Sequence, residues 1–220
     1  MLLRVGRPTL IGEFARYAER FNLLEVPTDA GRAPRRKRLK SLREEAPDPF
    51  TFSVVLPSTL SSLDPDDDER GRVLGIADEL AAEILLLRTP ASVRPGTRTT
   101  ERLAALIRSF DGRTLVWEPA GLFDAETAGA VAEQVGVLVA HDLSREDAAP
   151  GPVVYTRIKS LGHGGRVSAS AADRIADRLE GAEAAYVVLD GRGAFGVAQE
   201  LRAMLTEEDV EPLADEDEEP

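Results

Sequence analysis

Residues 185–205 read AYVVLDGRGAFGVAQELRAML: an apolar run, a glycine-rich turn, then apolar residues three and four apart. A short, nearly continuous apolar run is a strand buried on both faces, and the 3.6-residue period after it is a helix packed on that strand. Working outward, the same unit recurs along the chain. Strand-like runs lie at 2–5, 23–26, 51–56, 84–88, 114–118, 136–140, 153–158 and 185–190, and helix-like segments at 10–21, 35–45, 69–82, 98–110, 124–134, 169–180 and 194–205. Strands that alternate with helices of this length form a parallel sheet covered by its crossovers.

Local punctuation agrees with the alternation. Thr97 and Ser170 stand where helix N-caps belong, Asp124 precedes AETAGAVAEQV, and Gly112, Gly136 and Gly181 follow helical segments as stops. Between Ala140 and Val153 there is only HDLSREDAAPGP, too short and too broken by Pro150, Gly151 and Pro152 for a crossover helix. Eight strands with seven helices predict an α/β fold, an irregular (β/α) TIM-type barrel with one crossover helix missing. An open doubly wound sheet is the alternative, because local pattern does not encode strand order.

In a barrel every strand aims its C-terminal end at one mouth, where active sites are built. Five strand-like runs deliver an ionisable residue there: Glu25, Glu118, Asp142, Arg157 and Asp190. Glu118, between Trp117 and Pro119, is the candidate for a pKa raised by desolvation and for an acid or base role, with Glu25 and Asp142 as catalytic companions. The alternative is a structural ion pair between Glu118 and Arg157 across the barrel. Asp142 and Asp190 also suit the capping of the turns that follow them.

Strand seven runs into LGHGGR and strand eight into DGRGAFG. Barrels often hold phosphate with these two loops, where glycine lets backbone N–H groups approach an anion. Arg157, Arg166, Arg192, Gly164 and Gly165 are therefore the candidate anion-binding residues; two flexible connections are the plainer reading. There is no GxxxxGK[ST] sequence, and GRGAFG misses the GxGxxG spacing by one position. Glu25, Glu118, His141 and Asp142 were they to converge would suit a divalent cation, but two histidines and no metal-ligand spacing assign none. The residues specify no cofactor.

The chain has 220 residues and no cysteine, enough for one core and without disulfides or thiolate-held cofactors. We expect one domain over 1–205 and a separate acidic tail over 206–220. No apolar run reaches membrane-spanning length and MLLRVGRPTL is no secretion signal, so a soluble cytoplasmic protein is expected, with no membrane partner. Nine acidic residues of the −12 net charge sit in 206–220, leaving the remainder at −3. Such a like-charge block reads as a disordered solubilising tail or as an interaction tail. RAPRRKRLKSLR, 32–43, is the opposite extreme: a helix with Leu39 and Leu42 inward and a basic outer face, either merely solvated or attractive to phosphates of nucleic acid.

The ordered motifs YAERFNLLEV, APDPFTFSVVLP, AEILLLRTP, LVWEP, VAHD, VVYTRI and AYVVLDGRGAFGVAQELRAML resemble the YecE-like bacterial family, a domain of unknown function whose members look like TIM barrels. The resemblance spans about residues 3–205. Its matching positions are Tyr17, Phe21, Glu25, Pro47, Phe50, Phe52, Pro90, Glu118, Asp142, Tyr155 and Arg157. The departures, several of them at polar rim positions, are these: Pro27 and 28–31 replace an Asn and an aromatic pair, Leu42 a tryptophan, Val55 a lysine, Lys159 and Ser160 a His-Gly, Gly191 an Asn, and RVGRPTL shortens the opening loop. The resemblance implies the barrel and no particular reaction. The expected function is a barrel that binds an anionic or phosphorylated small molecule at its C-terminal mouth. Its rivals are a non-catalytic interaction protein with an eroded site and, more weakly, a nucleic-acid-processing protein using 32–43.

Overall fold

Hydrogen bonding closes the sheet on itself. In the computed structural model, which describes residues 1–63, 66–110, 112–147, 151–159 and 169–206, the strands are β1 (Leu2–Arg7), β2 (Leu23–Pro27), β3 (Thr51–Val55), β4 (Ile84–Arg88), β5 (Thr114–Glu118), β6 (Leu138–His141), β7 (Val153–Lys159) and β8 (Ala184–Asp190). Each pairs in parallel with the next, and β8 pairs with β1 from Leu2–Ala184 to Gly6–Val188. That last pairing makes a closed barrel and overturns the doubly wound alternative.

The helices are α1 (Phe14–Ala18), α2 (Arg36–Glu45), α3 (Asp67–Leu80), α4 (Thr97–Ser109), α5 (Ala125–Val135), α6 (Ala169–Leu179) and α7 (Ala194–Thr206), with a 3₁₀ turn at Leu60–Ser62. The described residues between β6 and β7 contain turns and no helix, as the Pro150-Gly151-Pro152 break predicts. Outside β6 this leaves a groove of about 600 Å³ bordered by Ala132, Val137, Val139 and Pro152.

Side-chain parity sorts the core into two layers. Leu23, Ile84, Leu86, Val116, Tyr155 and Val188 form a small cluster inside the barrel. Their neighbours Leu24, Leu85, Leu87, Trp117 and Leu189 belong to the larger layer shared with the helices. Of the aromatic residues matched to the family, Tyr17, Phe21, Phe50 and Phe52 lie in that outer layer, with Phe14 beside them, and Tyr155 lies in the inner one. Phe14, Tyr17, Phe21, Phe50 and Phe52 are all buried, with the Tyr17–Phe21 and Phe50–Phe52 centroids 4.9 Å apart.

Two corrections concern helix starts. Asp124 caps α5 by accepting from Thr127 N at 2.8 Å, as expected. Thr97 and Ser170, however, fall inside their helices, and Gly96, at φ +152°, takes the cap position of α4. The first helix is five residues long instead of twelve, because Gly12 at φ +76° delays its start and the chain must turn at Asn22 to meet β1. Asn22 Oδ1 accepts from Val5 N at 2.7 Å and its Nδ2 donates to Leu3 O at 3.1 Å. Tyr17 OH completes the corner, accepting from Arg7 N and donating to Leu23 O.

Candidate active site at the barrel mouth

The strand ends that face inward place their last side chains in one buried network. Arg157 lies across the barrel: its Nε and Nη2 donate to the two oxygens of Glu25 at 2.9 and 3.0 Å, and its Nη1 donates to Glu118 Oε2 at 2.6 Å. Tyr155, two residues earlier on the same face, donates to Glu25 Oε1 at 2.9 Å and lies 3.2 Å from Ser53 Oγ. Burial and the Glu25 charge keep that phenol protonated by pushing its pKa up. Burial opposes the charge on Arg157, but Glu25 and Glu118 outweigh it and raise its pKa.

Two further cations join at Glu118. Arg88 Nε donates to Oε2 at 2.6 Å, and Lys159 Nζ sits 2.8 Å from Oε1. The Glu118 side chain is 8% exposed, whereas Arg88 and Lys159 are 53% and 56% exposed. Burial alone would raise the Glu118 pKa; Arg157, Lys159 and Arg88 together overcome it and hold the pKa below its ordinary value. The expectation of a raised pKa is thus corrected, and the ion-pair alternative is the geometry found. Opposite charges at hydrogen-bond distance win over desolvation here.

Above the network opens a cavity of about 570 Å³, lined among others by Glu25, Asp29, Arg32, Arg88, Arg157, Lys159 and Asp190. Asp142 stands apart. It is held in the β6–β7 turn, where its side chain accepts from Ser144 N at 3.2 Å, and it lines a smaller cavity of about 110 Å³ with Glu118, His141 and Glu146. Burial pushes the His141 pKa down against the opposing pull of Glu146. Glu25, Arg157 and Asp190 therefore line the mouth cavity, while Glu118, bonded to Arg157, shares the smaller cavity with Asp142.

Of the expected anion-binding residues, only Arg157 and Arg192 fall within the described residues. Arg192 is exposed and does not line the mouth cavity, and His163, Gly164, Gly165 and Arg166 lie outside the described residues, as do 207–220 of the acidic tail. Among the described residues no group of three or more His, Asp or Glu is arranged to hold a metal ion. On α2, Leu39 and Leu42 are buried as expected, and the basic face partly pairs with acids, Arg36 with Glu79 and Arg38 with Glu45. In the sequence Arg88 has no assigned role and Lys159 stands only as a departure from the family pattern, yet each lies two residues beyond an inward-facing one, Leu86 and Arg157, and strand parity alone points both into the mouth.

Residues 7–219 match the family described as protein of unknown function DUF72. The chain belongs to the DUF72 family. The label YecE-like rests on the sequence motifs. Among solved structures it is similar to a DUF72 family protein from Enterococcus faecalis, with a TM-score of 0.72 at 12% identity over 93% of this chain and 96% of that one. A DUF72 family protein from Thermotoga maritima gives 0.69 at 15% identity over 94% and 100%. An L-ribulose 3-epimerase structure gives 0.57 at 14% identity over 94% and 93%, a likeness of fold. No curated protein matches the sequence. Among the described residues no helix is long and apolar enough to cross a membrane.

Proposed function

We propose that this DUF72 chain binds an anionic small molecule at the C-terminal mouth, between Arg88 and Lys159. The observation that carries the reading is the imbalance around Glu118, where three cations share one carboxylate. Counting Glu25 as the second carboxylate of the network still leaves one positive charge over. Among the described residues Arg88 spends only Nε on Glu118, so both its terminal nitrogens remain for another acceptor, and Lys159 spends one of its three N–H groups. An anion placed there gains charge-assisted hydrogen bonds from donors already held in position.

On this reading Glu25 and Glu118 are positioning residues. A carboxylate held ionised by three cations is a weak base and no proton donor at neutral pH, so its contribution is to aim Arg88, Arg157 and Lys159. Arg157, with all three nitrogens engaged, is the pillar beneath the anion.

Titration calorimetry with inorganic phosphate tests the proposal. We expect saturable binding, weakened about tenfold or more by Arg88→Ala or Lys159→Ala, the loss of one or two charge-assisted bonds. Undiminished binding in the double variant, or none by the native chain, refutes it. Both side chains are half exposed, so the variants should fold.

A further inference from the structure

The mouth cavity holds two carboxylates besides its cations, and holding an anion gives them no role. The cations Arg88 and Lys159 occupy the β4 and β7 ends. Beside Lys159, at the β8 end, stands Asp190, and beyond β2 stands Asp29, the two carboxylates bracketing Pro8 and Thr9 after β1. Val55, Ile158 and Val188 also line the cavity. No aromatic side chain is among the described lining residues, so a nucleobase or other flat ring finds no stacking face.

The two carboxylates are acceptors in want of donors. Asp29 Oδ1 takes both Ser58 N and Ser58 Oγ at 2.9 Å, which fixes the side chain, while Oδ2 has no hydrogen bond within the described residues. The Ser58 N–H above all, with Arg32 and Arg72 near it, keeps Asp29 ionised by lowering its pKa. Asp190 lies in register with Lys159, but the ammonium reaches Glu118 instead, and no described residue bonds the Asp190 carboxylate. Carboxylates at a binding site accept from hydroxyls or from an ammonium. Arg32 beside Asp29 disfavours a further cation and leaves a neutral hydroxyl unopposed.

We infer that the ligand is a small hydroxylated anion, a phosphorylated or carboxylated polyol or sugar, with its anionic group between Arg88 and Lys159 and its hydroxyls donating to Asp190 and Asp29. A cavity near 570 Å³ suits a ligand of this size. The inference rests on the anion-binding reading above and sharpens it to a substrate class.

Calorimetry on the full chain with inorganic phosphate, glycerol phosphate, a hexose phosphate, a hexuronic acid, adenosine monophosphate and O-phosphoserine separates the two claims. The expected result is that at least one hydroxylated anion binds about tenfold or more tightly than phosphate, the gain of one or two hydrogen bonds to charged acceptors. Asp190→Ala then brings that ratio toward one. If phosphate binds and no polyol, sugar phosphate or uronic acid binds more tightly, the substrate class is wrong and the anion site stands. Tighter binding of the nucleotide or of phosphoserine than of every hydroxylated anion overturns the class in favour of a base or an ammonium. If none of the six binds, both claims fall.

Discussion

Glu118 decides the character of the mouth, because one buried carboxylate sets the direction of three cations. Its depressed pKa makes it a stability element with a defined pH window. A carboxyl whose folded pKa lies below its unfolded value contributes stability above that unfolded value, here near 4.5, and loses the contribution as pH falls through the folded pKa. We expect Glu118→Gln to cost roughly 3 kcal/mol at neutral pH, the lower end of the range for breaking a buried pair. Urea unfolding at a series of pH values should show the gap between native and variant chains narrowing below pH 4.5; a gap constant with pH would mean the charge contributes nothing.

Among the elements, β1 depends on the smallest side chain it has. A Cβ on Gly6 would sit 1.8 Å from the Leu23 carbonyl oxygen, so β1 and β2 approach each other only because position 6 lacks one. They share just two register pairs, and the Asn22 amide supplies the lower half of the seam. We expect Gly6→Ala to destabilise by about 3 kcal/mol or more, since the clash is with backbone and cannot relax through a rotamer. Thermal unfolding close to the native midpoint would contradict the close approach.

The same elements show which features a sequence displays. All eight strands were legible because ILLL, VLVA and YVVL are too apolar and too short to be anything else in a chain that alternates with helices. Asp124 was legible because a cap acts within three residues of itself. The five-residue α1 was not, since its limits come from Asn22 reaching back to β1, a contact across seventeen residues. The four strand-end charges Glu25, Glu118, Arg157 and Asp190 were visible as residues. The sign of the Glu118 shift was hidden, because it depends on Arg157, Lys159 and Arg88 reaching one carboxylate from β7 and β4. Barrel closure fixes which strand ends face each other, and no local window contains it.

At the scale of the whole molecule, the wall of the barrel is uneven. β8 makes seven register pairs with β7 and five with β1. β6 makes two pairs on each side, and three of its four side chains are only half-buried over the groove outside it. Strands with few buried contacts open at lower free energy than the global transition. Native-state hydrogen exchange should therefore release the amides of 138–141 well before those of 185–189, and equal protection in the two would show a uniformly cooperative barrel. The chain thus carries a built-in unzipping point: a protease or chaperone that catches it partly open meets β6 first, while the strands bearing Glu25 and Arg88 are still in place.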